Sequence, residues 1–382
     1  MKTLQVVLTA RSRDDAALAA LCSFGPQLVL VFGSVACLGE PGFIEGLRST
    51  CPEALWVGCS TAGEISNGGV AEKTCVLTAV RFEGAVRLKV AQASLRHMDG
   101  SNQAGATVGG ELDADDLRAV LLFGKGVDVN GSALIDGVVS SVGRHIPITG
   151  GLAGDDGAFQ STLTIGPNGV DSDGLVGLGL YGDGLVLGYG SFGGWMPFGP
   201  ARKVTRSSGN ILYELDGEPA LNIYKRYLGE HAKDLPGSGL LFPFEMQDAQ
   251  NTASGLIRTI LGVDEATGSL VLAGDIDPNG FLRLMHASPS NLVDGAEAAA
   301  ECTRAQLPAD LSGGLALLVS CVGRRLVMGD EVDDEVEAVA NVLGRHCILT
   351  GFYANGEISP HSRTTDCKLH NQTMTVTYLG ER

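Results

Sequence analysis

The chain reads as a mixed α+β protein: two related halves built from repeated strand–helix–strand–glycine-loop units, with added antiparallel hairpins. Three observations predict this. A glycine loop recurs at Val57-Gly-Cys-Ser-Thr-Ala-Gly-Glu64, Thr149-Gly-Gly-Leu-Ala-Gly-Asp155 and Thr350-Gly-Phe-Tyr-Ala-Asn-Gly-Glu357, each after a short apolar run. The repeat extends upstream: Ala119 to Gly124 through Val142-Gly-Arg-His145 to Gly150 parallels Leu315 to Ser320 through Leu343-Gly-Arg-His346 to Gly351, and Leu28 to Gly63 is a looser copy. Glycine-containing turns also separate several pairs of β-prone runs.

In chain order, Ser12-Arg-Asp-Asp15 suggests a capped start for a helix over Ala16 to Leu21. Leu28 to Phe32 reads as a buried strand, Pro41 to Arg48 as a short helix and Leu55 to Val57 as the strand entering the first glycine loop. Thr74 to Phe82 and Val86 to Ala91 read as a hairpin across Glu83-Gly-Ala85, and Leu175 to Tyr181 and Leu185 to Tyr189 as another across Gly182-Asp-Gly184. Residues 97 to 114, polar and glycine-rich, read as a surface connection. Gly177-Leu-Gly-Leu-Tyr-Gly182 matches a dinucleotide fingerprint in form only, because a strand rather than a helix follows it. Ser132 to Val142 reads as the helix of the second unit, and Val332, Val336, Val339 and Leu343 lie at helical spacing in the last. Pro219 to Leu228 is a helix, 239 to 286 reads as β, Ser288 caps a helix through Ala300, and two strands, Asp366 to Leu369 and Thr373 to Leu379, close the chain.

Composition bounds the function. The 382 residues are 44% hydrophobic, enough for a large core, and the net charge of −17 with scattered Lys and Arg argues against nucleic acid or an anionic membrane. Nine cysteines with no Cys-x-x-Cys pair fit reduced cytoplasmic thiols, and no apolar run is long enough to span a bilayer. Gly193 to Pro200, with Trp195, places a boundary near residue 200.

Several of these motifs resemble the FIST family, a bacterial sensory module with N- and C-terminal parts. Gly58-Cys-Ser-Thr-Ala-Gly-Glu-Ile65 is similar to its N-terminal part. Tyr213-Glu-Leu-Asp-Gly-Glu-Pro-Ala220, Gly351-Phe-Tyr-Ala-Asn-Gly-Glu-Ile-Ser-Pro360 and His370-Asn-Gln-Thr-Met-Thr375 are similar to its C-terminal part. The resemblance divides the chain into an N-terminal-like half, 1–200, and a C-terminal-like half, 201–382. It implies a small-molecule ligand such as an amino acid, and output through a histidine kinase, a diguanylate cyclase or phosphodiesterase, or a chemoreceptor. The repeat-bearing sequence runs to Tyr378, so output in trans is expected. Relatives include haem-binding nitric-oxide sensors. A haem here would be non-covalent, on one axial His or Cys, since no Cys-x-x-Cys-His motif occurs.

The candidate ligand-binding residues are Cys59, Ser60, Thr61, Glu64, Gly151, Asp155, Tyr353, Asn355 and Glu357, all in the three loops. Tyr353 and Asn355 sit mid-loop, where specificity usually resides. Glu64 and Glu357 are open between touching a ligand and tying the loop through backbone amides, and Asp155 leans to the latter. Cys59 or Ser60 could be a nucleophile, but no histidine partner lies nearby, and Ser60 and Thr61 serve equally as loop ties. His145 and His346 occupy equivalent helix ends, a structural position, while His361 and His370 follow the third loop. The leading expectation is a non-enzymatic, cytoplasmic small-ligand sensor. A haem-based gas sensor and a hydrolase using Cys59 or Ser60 are the alternatives.

Overall fold

The computed structural model describes residues 1–9, 14–309, 313–361 and 366–382. It is a mixed α+β structure in which the repeated unit occurs three times, each copy contributing to a six-stranded sheet. The first sheet runs Lys2–Thr9, Thr74–Arg81, Leu28–Gly33, Leu55–Ser60, Thr164–Gly166, Gly169–Asp171. The second runs Arg87–Ser94, Gly174–Tyr181, Leu117–Gly124, Ile148–Leu152, Gly356–Pro360, Cys367–His370. The third runs Leu185–Phe192, Met374–Glu381, Gly314–Cys321, Cys347–Ala354, Glu64–Ser66, Gly69–Ala71. In each, the parallel central pair is joined by a helical crossover, as parallel neighbours require.

The last two strands of every sheet belong to another unit. The first unit completes the third sheet, the second completes the first, and the third completes the second. The exchange is cyclic, so the two halves of the sequence are interlaced.

Equivalent positions follow from the register. Gly58, Gly150 and Gly351 pair with Val31, Leu122 and Leu318. A Cβ at these glycines would lie 1.8, 2.1 and 1.8 Å from the carbonyl oxygen of that partner, so only glycine allows the approach. The next residues are Cys59, Gly151 and Phe352, opposite Phe32, Phe123 and Val319. The phenylalanines fill the centre: Phe32 stacks on Phe352 at 4.8 Å and meets Phe123 edge-on at 5.7 Å. Where the third unit carries Val319 in place of phenylalanine, Phe352 supplies the volume. A Cβ on Gly151 would lie 2.8 Å from Val319 Cγ1, so this loop position is small because the centre is full.

The two anticipated hairpins do not form. Thr74–Arg81 pairs on both sides, with Lys2–Thr9 and Leu28–Gly33, and Gly174–Tyr181 with Arg87–Ser94 and Leu117–Gly124. Neither has a free edge, so each glycine turn passes the chain to the next sheet. Residues 97–114 are not a loop: Ser101–Leu112 is a helix. Its glycines, poor helix formers, allow close packing on the helix Gly131–Val142, where a Cβ on Gly105 would lie 2.1 Å from Leu134 O. Gly177 lies in a strand, as read, and a Cβ there would meet Val108 Cγ1 at 2.5 Å. The Ser12 cap lies outside the described residues. Asp14 caps the helix Asp15–Phe24 by accepting from Ala16 N and Ala17 N.

Between the strands Leu185–Phe192 and Gly314–Cys321 the chain builds a further, antiparallel sheet of nine strands. The anticipated strand Gly239 to Phe244 is a 3₁₀ turn, Gly237–Leu240, with strand resuming at Phe244–Gln247. The helix Ala220–Leu228 buries Leu221, Tyr224 and Leu228 against this sheet. This inserted sheet seats on the body through Trp195, whose Nε1 donates to Gln372 O at 2.8 Å, and through Gln372 Nε2, which donates to Leu240 O at 2.9 Å.

Chemical denaturation tests the packed centre. Phe352→Ala should cost about 3–5 kcal/mol through the cavity it leaves, and Gly351→Ala about 3 kcal/mol through forced separation of two strands. An exposed Gly110→Ala, with nothing within 4 Å of its Cβ, should not destabilise.

Candidate functional site

The three glycine loops meet one another. Gly154 N donates to Ser60 O at 2.9 Å, Asn355 N to Leu152 O at 3.1 Å and Ala62 N to Tyr353 O at 2.8 Å. The acceptors are equivalent residues of the three units, as are the donors, so the bonds close a ring.

This ring is sealed. Cys59, Ser60, Thr61, Glu64, Tyr353 and Glu357 are fully buried, Gly151 is buried, and Asp155 is 6% exposed. Burial pushes the Cys59 thiol well above its ordinary value. Ser60 Oγ donates to Gly154 O at 2.7 Å and accepts from Leu163 N at 2.9 Å, so its hydroxyl ties the loops together. Tyr353 Oη donates at 2.6 Å to Glu335, which also accepts from Ser320 Oγ at 2.9 Å and pairs with Arg324 at 2.6 Å, both charged groups being wholly buried. Arg324 further donates to Leu292 O at 2.7 Å and to Gly193 O, so the pair meets the demand for full hydrogen bonding in the interior.

Glu64 and Glu357 are equivalents. Glu64 accepts from Thr74 N at 3.0 Å and Thr74 Oγ1 at 2.7 Å, and Glu357 from Thr373 N at 2.9 Å and Thr373 Oγ1 at 2.8 Å. Each carboxyl ties the glycine loop to the first residues of the closing strand. Thr61 Oγ1 also donates to Glu64. The third unit has Ala354 where the first has Thr61, so no hydroxyl donates to Glu357 Oε1, and the Cys321 thiol stands beside this carboxyl. Burial raises both groups, and Glu357 reaches about 8 against the opposing pull of Thr373.

Asp155 is not the third member of this set. Glu64 pairs with Phe352 and Glu357 with Gly151; the matching partner of Cys59 is Thr164. The second loop is lengthened after its glycines, and Asp155 lies in the extension. There it accepts from Phe159 N at 2.9 Å, Gln160 N at 2.6 Å and Ser161 N at 3.0 Å.

Asn355 alone of the nine candidates reaches an open space. A cavity of about 370 Å³ lies between the body and the inserted sheet, within the range of small-ligand pockets. The body contributes residues 126–131, Leu152, Phe159, Asn355, Leu369 and Asn371; the inserted sheet contributes Asn210, Leu240, Ile260, Leu261 and residues 271–274. The walls are mostly aliphatic, with polar groups supplied by asparagines and Asp128. Apart from Asn355, no residue of this cavity stands out in the sequence as ligand-binding. The motif from His370 to Thr375 was visible, but its contact with the cavity through Asn371 depends on the fold.

The haem option can be tested against these residues. Neither histidine nor cysteine lines the cavity. His361 and His370 stack at 6.0 Å inside the protein; His370 Nε2 lies 3.0 Å from Ser359 O, and burial lowers its pKa to about 3. These residues do not fit an axially ligated haem. Among the described residues no three His, Cys, Asp or Glu side chains gather as a metal site.

An interlaced α+β body and an inserted sheet thus enclose a cavity of small-ligand size. The FIST N domain model matches residues 27–218 and the FIST C domain model residues 220–360; the chain belongs to the FIST family, whose domains are sensory and bind small ligands in signal transduction. An uncharacterised protein of Methanocaldococcus jannaschii is 28% identical over 204 residues, which cover 50% of this chain and 38% of that relative. A crystal structure of cyanuric acid hydrolase from A. caulinodans aligns over 100% of this chain and 99% of its own, at 10% identity and a TM-score of 0.37.

Glu357 makes stability depend on pH. An ordinary glutamate releases its proton near 4.5, whereas folded Glu357 keeps it to about 8. Its contribution is therefore complete below the lower value and is lost as pH rises through the upper one. Urea denaturation of the wild type should show stability falling across that window relative to Glu357→Gln, which retains an acceptor for Thr373. Parallel profiles would contradict the assignment.

Proposed function

We propose that this protein is a sensor that holds a small metabolite in the cavity between body and inserted sheet, and that occupancy changes how the inserted sheet seats on the body. The carrying observation is that the two pieces each supply a wall of the same cavity. The direct links between them include Trp195 Nε1 to Gln372 O, Gln372 Nε2 to Leu240 O and Arg258 Nη1 to Leu369 O at 3.3 Å, beside an apolar contact of Ile257 and Met285 with Leu292 and Met328. A ligand touching Leu240, Leu369 and Asn371 presses on those same segments.

An amino acid with an apolar side chain suits the aliphatic walls and amide-bearing residues. The change is read by a histidine kinase or a cyclic-dinucleotide enzyme in the cytoplasm. Free cysteines throughout the chain support that compartment, and no described helix is long and apolar enough to cross a membrane. Binding rather than catalysis is favoured by the sealed Cys59 and the fully engaged Ser60 hydroxyl.

A thermal-shift screen of amino acids and small amines tests this. A compound that raises the melting temperature of the wild type should do so equally in Glu64→Gln and lose its effect in Ile260→Trp, which fills the cavity. Retention in Ile260→Trp with loss in Glu64→Gln would return the site to the glycine loops. Added haemin should produce no sharp Soret band; a stable band that moves with nitric oxide would contradict the reading.

A further inference from the structure

Asn355 and Asn371 both line the cavity, and each has a buried amide oxygen with no hydrogen-bond partner. Asn371 is 1% exposed. The orientation of Asn355 is fixed, because its Nδ2 donates to Gly126 O at 3.3 Å and the flipped amide would set oxygen against oxygen there. Unpaired buried amide oxygens are costly, and an interior that keeps two on the walls of one cavity is suited to a partner that brings donors. Asp128 is the one charged residue among the described lining; its Oδ2 lies 3.9 Å from Lys125 Nζ and 3.9 Å from His97 Nδ1, neither of which lines the space. The polar lining is thus rich in acceptors and carries negative charge, while the rest is aliphatic.

From this we infer that the ligand is recognised by an ammonium group on an apolar body, with Asn355 Oδ1 and Asn371 Oδ1 accepting its N–H bonds and Asp128 supplying the countercharge. The inference rests on the cavity being the ligand site. It goes further by making the ammonium, and not a carboxylate, the feature that is read. A primary amine and an α-amino acid with the same apolar body both satisfy it; the deaminated acid does not, since its carboxylate would face three acceptors and no cation in the lining, Lys125 standing behind Asp128. Small shifts of the two asparagine side chains bring their oxygens to the ligand, as side-chain adjustments commonly accompany binding.

Isothermal titration of the full chain with 2-phenylethylamine, phenylalanine and 3-phenylpropanoate distinguishes these. The amine and the amino acid should bind, with the acid at least about tenfold weaker, the scale of one lost charge-assisted bond. Asn371→Leu should weaken the amine about tenfold. Asn371→Asp, nearly isosteric and anionic, should strengthen it and weaken the acid further. Equal binding of all three, abolished by Ile260→Trp, would keep the cavity as the ligand site and overturn the ammonium rule. Tightest binding by the acid would also overturn it. Binding that persists in Ile260→Trp, or no binding by any of the three, would count against the cavity itself.

Discussion

The structure depends on a ring of three backbone hydrogen bonds, from Gly154 to Ser60, Asn355 to Leu152 and Ala62 to Tyr353. Three strand ends run into the centre of the body, and their peptide groups are out of reach of water. Such groups must find partners, and here each loop finds its partner in the next. The other features of the centre follow. Glycine at 58, 150 and 351 lets the strands come close enough for the loops to meet. Phe32, Phe123 and Phe352 fill what remains. Glu64 and Glu357 then fasten two of the loops to their closing strands.

The same arrangement explains why the recurring loops are a poor place for a ligand. Their backbone groups bond to one another, and the exchange of strand pairs between sheets locks them in. Departures from threefold equivalence occur where something else is accommodated. The second unit has Thr164 and Gly174 in place of the Glu–Thr tie, and a Cβ on Gly174 would lie 2.1 Å from Thr164 Oγ1. Its lengthened loop, carrying Phe159, forms part of the cavity, and the inserted sheet covers that flank. Of the buried polar side-chain atoms without a hydrogen-bond partner, Asn355 Oδ1 and Asn371 Oδ1 belong to residues that line this cavity. The cavity is therefore a place where a bound molecule can supply missing hydrogen bonds.

Much of this was legible in the sequence. The repeated glycine loops, the β–α–β order and the equivalence of Glu64 and Glu357 follow from spacing alone. Asp155 was misaligned because an insertion after a glycine leaves the pattern intact while moving the strand that follows. The turns at Glu83-Gly84-Ala85 and Gly182-Asp183-Gly184 were visible, but a turn does not say whether the next strand returns to the same sheet. The helix Ser101–Leu112 was hidden by glycines whose value lies in a contact with a distant helix. The cavity was invisible, because its walls come from segments scattered from Met98 to Asn371 and no one of them carries a motif.

The central claim is that ligand is held at the seam and not in the glycine loops. Hydrogen–deuterium exchange of the intact protein with and without saturating 2-phenylethylamine tests it most directly. Added protection confined to residues 126–131, 237–240, 260–274 and 369–373, with 58–64 unchanged, is the predicted result. Protection centred on 58–64 and 350–357, with the inserted sheet unaffected, would contradict it.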